Sequence, residues 1–429
     1  MRFLNKIISL FLIFPIQSVG QETIIYDSSI KTVQFRSRQI DGQSQPVFPI
    51  IDLEKREKFE LSFDELTHEY HRYTYTIEFL DEKFKAESSI FKQDYIESTS
   101  DEGIVDDYIQ SLNTSVPYTH YSITFPNEYI RPKLPGNYKI TIWKDSDAGE
   151  KVRAFDAYFF VVDQLSSFDA KIDSDTDVDR NKNHQQLTIS AACPTLPIRN
   201  IRNFTLIVLQ NKQWHNAVRI YSPTSFVLTP RQTLVWEHCK DLIFDAGNEY
   251  RKFEIPSVRY PSMHVESIKY LSSYYHATLF TDEPRLNYLY DEDQNGIFMP
   301  LAEDGRSADS EADYIWVHFD YYFPEKWRND RPEKIIVTGQ WTNGLLSNKF
   351  VLQPDFEDSR HYRGAFLLKQ GYYSYYYWGV NQDGSFLITP SIEGNFYQTE
   401  NEYTLLLYYR APGDRYTRLI GAKTINYKI

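Results

Sequence analysis

The sequence predicts an all-β protein made of several β-sandwich domains in tandem, and three observations predict it. Tyrosine (34) and phenylalanine (28) are abundant while glycine (17) and methionine (3) are sparse, and aromatic side chains suit the pleated, half-buried surface of a strand. The tyrosine-rich runs alternate with polar residues at period two, the repeat of a strand with one buried face. At 429 residues the chain also exceeds what a single core covers, so length points to about two to four domains.

At the start, Arg2 and Lys6 precede a short apolar run at 7–16, and Ser18, Val19 and Gly20 supply small residues before Gln21. This is the layout of a secretory signal peptide, residues 1–20. The apolar run is about half of the ~20 residues that a membrane-spanning helix needs. Cleavage near Gly20 and export as a soluble chain are therefore expected, with no direct membrane insertion. No cysteine lies near that point to carry a lipid.

A first sandwich is expected over 21–163, with strands at 31–36, 58–63, 72–79 and 158–162. Tyr118, His120, Ser122 and Thr124 alternate with Thr119, Tyr121, Ile123 and Phe125, and a second alternating run follows Gly136 and Asn137. Between them the prolines at 126, 132 and 135 break any ladder, so the two runs are expected to pair back on one another. From 81 to 114 the alternation fails. That excursion has two readings, a partner-binding loop or a loop packed over the end of the sandwich.

Residues 164–184 form a charge-dense joint that reads either as an interdomain boundary or as a hairpin tip. A middle sandwich is placed at 164–302, with strands at 186–191, 204–210, 234–237, 252–256, 267–271, 274–280 and 287–290. The acidic segment 303–313 is read as a linker. The last domain, 314–429, opens with Ile315, Val317, Phe319 and Tyr321 on one strand face and continues through IIVTGQW, GYYSYYYWGV and YTLLLYYR.

Several stretches carry a family resemblance. DYIQSLNTSVPYTHYSITFPNE at 107–128 followed by PGNY, LSFDEL at 61–66, YTYTIEF at 73–79, QNKQWHNA at 210–217, GNEYRKFE at 247–254, DEDQNG at 291–296, and EGNFYQTENEY with YYRAPGDRYTRLIGA up to Ala422 resemble, in order, segments of the type IX secretion system plug proteins of the Bacteroidota. The chain departs from that pattern after the YTYTI strand, where the family usually has a His-Cys pair and a Trp. Here Glu78, Phe79 and Phe84 stand in that region. The last domain is also similar to early-set immunoglobulin-like modules, a class that includes starch- and glycogen-binding domains. The fold these likenesses imply is a tandem of immunoglobulin-like, early-set β-sandwiches.

The residues themselves offer little catalytic chemistry. The ten histidines are dispersed without metal-ligand spacing, and no nucleophile elbow or P-loop occurs. No catalytic residue, cofactor or metal is assigned. Asp291 to Gly296 match half of a calcium loop, but Ala302 stands where its twelfth-position carboxylate is due, and a tight turn at Asn295-Gly296 is the better reading. Cys193 and Cys239, the only cysteines, are either a disulfide or two buried thiols. Trp341 and Trp378 are candidate partner or sugar contacts, against a role in core or interdomain packing. The net charge of −13 repels phosphate backbones and disfavours a nucleic-acid partner.

The resemblance implies a periplasmic, non-enzymatic protein that binds the outer-membrane β-barrel translocon of the type IX system and occludes its periplasmic opening. The alternative is an exported carbohydrate-binding sandwich protein.

Overall fold

The computed structural model describes residues 22–38, 44–55, 57–146, 149–196, 198–228, 231–303, 305–326, 331–343, 349–381, 386–387 and 392–428. The expected signal peptide, 1–20, lies outside the described residues. The protein is all-β. Its three sandwiches are accompanied, among the described residues, by two four-residue α-helices, Lys92–Tyr95 and Ala308–Glu311.

In the N-terminal sandwich one sheet runs in the order Ile24–Ile25, Lys151–Val162, Gly136–Asp145, Tyr73–Leu80, Gly103–Val105, with Ile50–Asp52 parallel to Lys151–Val162. The facing sheet runs Ser44–Pro46, Ile30–Arg38, Phe59–Glu65, Thr119–Phe125, Asp107–Gln110. The two runs expected to pair as a hairpin therefore lie in opposite sheets. The proline-rich connection contributes its own strand, Ile130–Pro132, which pairs with Ile96–Ser98 and carries the chain across. Rings interleave between the sheets: Phe63 meets Phe155 edge-on at 5.0 Å and Phe125 meets Phe159 edge-on at 4.9 Å. The 81–114 excursion is not a bare loop. It holds three short strands and a helix, and Ile90, Tyr95 and Ile96 join the core.

The middle sandwich departs from the expected boundaries. Residues 164–184 fold into a hairpin, with Ser167–Asp173 paired to His184–Ala192. Its second sheet is Val218–Ile220, Phe204–Gln210, Glu402–Tyr409, Arg418–Asn426, so the last two strands of the chain complete it. Periodicity reveals where strands are but not which sheet receives them, and Leu206, Val208, Leu405 and Leu407 need the same core.

The remaining sandwich is an insertion between Ile243–Asp245 and Glu402–Tyr409. Its strands begin at Arg251–Ile255, well before residue 314, and run through Gly371–Val380 to Phe386–Leu387 in one ten-stranded sheet. Residues 287–290, expected as a strand, are irregular. The acidic segment 303–313 is no linker, because Ser310 and Asp313 are buried against the N-terminal sandwich.

The joint between the N-terminal and middle sandwiches is apolar. Leu80, Phe84, Phe160 and Val162 pack on Ile207, Leu209, Leu406 and Leu419. The outer face of a sheet that would otherwise meet water is covered at Leu80, Phe160 and Val162, while Thr76 and Glu78 on the same face of Tyr73–Leu80 stay half-buried.

Candidate functional site

The residues singled out in the sequence do not converge. Trp341 lies against the core of the inserted sandwich. Its indole Nε1 donates to the Ser374 carbonyl at 3.2 Å, and its ring meets Phe350 at 5.0 Å and Tyr373 at 5.4 Å. Gly339 makes this possible, since a Cβ there would sit 2.5 Å from Nε1 and 2.6 Å from the Ser374 oxygen. Trp378 instead reaches the joint with the middle sandwich, edge-on to His215 at 5.2 Å. Cys193 and Cys239 are free thiols, with Cys193 buried and pushed up to about 12 by that burial. Both pack on the core of the middle sandwich. The 291–296 segment is a turn with Asn295 and Gly296 in the left-handed region. No group of potential metal ligands gathers among the described residues.

What sequence reading missed is the joint between the N-terminal and inserted sandwiches. Asp64 and His120 are cross-strand partners on Phe59–Glu65 and Thr119–Phe125, and Tyr314 and Lys369 are cross-strand partners on Tyr314–Tyr322 and His361–Lys369. The two pairs meet face to face. Asp64 accepts from Lys369 Nζ and Tyr314 Oη, both at 2.7 Å, and from His120 Nδ1 at 2.6 Å. Arg36 bridges outward, donating to His120 Nε2 at 3.0 Å and to Asp309 at 2.6 Å, with Glu60 at 3.3 Å.

The 303–313 segment closes this joint. The Asp313 carboxylate accepts from the backbone of Ser115 at 2.7 Å and Val116 at 3.1 Å, and Tyr118 Oη donates to the Ala312 carbonyl at 3.0 Å. Burial pushes the Asp64 carboxyl up, but Lys369 and His120 beside it outweigh that and hold it down at about 2. Burial also pushes the Lys369 ammonium down, and Asp64 is the neighbour that keeps it charged. Taking such charges out of water costs several kcal/mol each, so the cluster serves geometry more than net stability.

A second buried ion group lies within the inserted sandwich. Arg251 donates to Asp282 at 2.7 Å and Glu393 at 3.0 Å, while the Tyr375 and Tyr377 hydroxyls each reach Asp282 at 2.8 Å. Every one of these carboxylates is committed to structural partners.

A solved structure described as a hypothetical protein from Parabacteroides merdae ATCC 43184 is similar to the whole arrangement. It is 33% identical, with a TM-score of 0.86 over 95% of this chain and 100% of that one. Residues 30–163 match the model of the first domain of the type 9 secretion system plug protein. The chain belongs to the type IX secretion system plug protein family. No curated protein matches the sequence. The matched plug domain supplies Arg36, Glu60, Asp64 and His120, one half of the ionic joint, and the inserted sandwich supplies the other half. Among the described residues no helix is long and apolar enough to cross a membrane.

Proposed function

We propose that this plug-family protein works in the periplasm by binding the outer-membrane β-barrel translocon of the type IX system and occluding its periplasmic opening. It acts as a binder, not as an enzyme. The observation that carries this reading is the way the three sandwiches are locked into one body. One is threaded into another, one joint is apolar, and one is clamped by buried ion pairs. A conduit wide enough for folded cargo leaks unless something stiff closes it. A flexible chain would lose ordering entropy at every closure, on the order of 1–2 kcal/mol per residue. A preformed body avoids that cost.

The matched family model and the buried commitment of the acidic groups both support this reading. Affinity capture of the full chain from cells, in detergent that preserves outer-membrane barrels, is expected to bring down the translocon. Failure to associate while the barrel stays intact would overturn it.

A further inference from the structure

The joint between the middle and inserted sandwiches contains a cavity of about 400 Å³, within the roughly 300–1,000 Å³ of small-molecule sites. One wall is aromatic. Tyr376 and Trp378 are two residues apart on Gly371–Val380 and so share a strand face, with ring centres 6.3 Å apart, and Tyr250 lies 5.4 Å from Tyr376. The opposite wall follows Phe204–Gln210 and the loop after it, and it is built of amides. Among the described residues lining the cavity there is no lysine or arginine. The lining carboxylate, Asp245, accepts from Asn395 at 2.8 Å and faces His184 at 3.4 Å.

Two buried polar atoms of this lining lack a partner. Asn216 donates its amide to Gln210 at 2.9 Å and leaves Oδ1 unpaired, and His215 Nε2 is unpaired next to Trp378. Burial pushes the His215 imidazole down to about 4, so it is neutral near pH 7. A phosphate or carboxylate ligand would find no lysine or arginine among the described lining residues, and His184 is already engaged by Asp179 and Asp245. An amine would find its carboxylate already engaged. A purely apolar ligand would strand the amides at a cost of about 1–3 kcal/mol each. A hydroxyl, which both donates and accepts, satisfies such atoms, and a sugar ring adds an apolar face suited to an aromatic wall.

We propose that this cavity binds a small neutral saccharide, with its ring face on Trp378 and its hydroxyls on Asn216 and His215. The site is independent of the occlusion reading and stands or falls without it. The full chain is titrated with glucose, galactose, mannose, N-acetylglucosamine and their disaccharides, followed by tryptophan fluorescence and calorimetry. Saturable binding of at least one sugar is expected, weakened about tenfold or more in Trp378→Ala and in Asn216→Ala, each checked for an unchanged melting curve. Asn216 sits in a loop, so its variant carries the test if Trp378→Ala fails to fold. Absence of saturation for every sugar up to about 10 mM, within the weak range of the affinity scale, would overturn the proposal. So would binding that survives both substitutions, or saturation by acetyl-trialanine-amide and by no sugar.

Discussion

Two joints of this molecule draw carboxylates away from water and treat them in opposite ways. Between the N-terminal and inserted sandwiches, Asp64 meets Lys369 and His120 and is held at about 2. Beside the cavity between the middle and inserted sandwiches, Glu249 and Asp293 meet neutral donors. Glu249 accepts from Tyr288 Oη at 2.7 Å and from the Glu400 backbone at 3.1 Å, and burial pushes it up to about 7. Asp293 accepts from the backbone of Tyr250 and Asn295, yet burial still pushes it up to about 6. Desolvation acts on all three, and the charge of the nearest neighbour decides the outcome. The first joint is a clamp made of charge. The second is close to neutral and leaves space.

The hardest test of that contrast removes one side of the clamp. Asp64→Ala leaves Lys369, which is almost wholly buried, without its carboxylate partner, and breaking one partner of a buried pair costs about 3–5 kcal/mol. Urea unfolding monitored by intrinsic fluorescence is expected to show a loss of that order. The double variant Asp64→Leu with Lys369→Met removes both charges together and is expected to recover most of it. A single substitution costing less than about 1 kcal/mol would mean that the joint is organised by packing and not by charge.

The contrast also sets opposite pH signatures. Asp64 has a folded value below the unfolded carboxylate value of about 3.9. Its contribution is present above that value and is lost as pH falls through about 2. Glu249 and Asp293 are raised, so the fold holds their protons more tightly than the unfolded chain does. Their contribution is complete below about pH 4 and is lost as pH rises through about 6 for Asp293 and about 7 for Glu249. Stability is therefore expected to fall by on the order of 2 kcal/mol between about pH 5 and pH 8. Glu249→Gln keeps the acceptor for Tyr288 and removes the charge. It is expected to flatten most of that slope, with a gain of about 1–2 kcal/mol near pH 8 and almost none near pH 5. A slope unchanged in this variant would assign the titration to another group.

How much of this was legible follows from the type of signal. Strand positions were readable because Ile315, Val317, Phe319 and Tyr321 repeat at period two, and those residues are buried as the repeat demands. Sheet partners were not. Nothing in YTLLLYYR says that its strand pairs with Phe204–Gln210 roughly two hundred residues earlier, because local alternation carries no address. The ionic joint was hidden for a related reason. In LSFDEL, Leu61 and Phe63 point to the core while Ser62 and Asp64 occupy the opposite face, which reads as solvent until another sandwich covers it. The acidic segment 303–313 resembled a linker by composition, although Asp309 and Asp313 are engaged across the joint. Trp341 and Trp378 looked alike as sugar contacts, and what tells them apart is three-dimensional: Gly339 lets the Trp341 indole pack down on the Ser374 carbonyl, while Trp378 reaches His215 across the joint.

The smallest effect expected is none, and it sharpens the comparison from the neutral side. The run Asp291, Glu292, Asp293 and Asn295 has the oxygen spacing of half a calcium loop. For a cation to bind there, its carboxylates would have to be ionised and free to converge. Asp293 is instead turned inward to two backbone amides, while Asp291 is already paired with Lys252 at 2.5 Å. Ala302 supplies no closing carboxylate. Calcium added to chelator-treated protein at neutral pH is therefore expected to leave the melting temperature unchanged. Any ligand that binds the folded state at a hundred times its dissociation constant would add about 2.7 kcal/mol. An upward shift of several degrees would show that this turn reorganises around a cation, and the joint beside it could then no longer be called neutral.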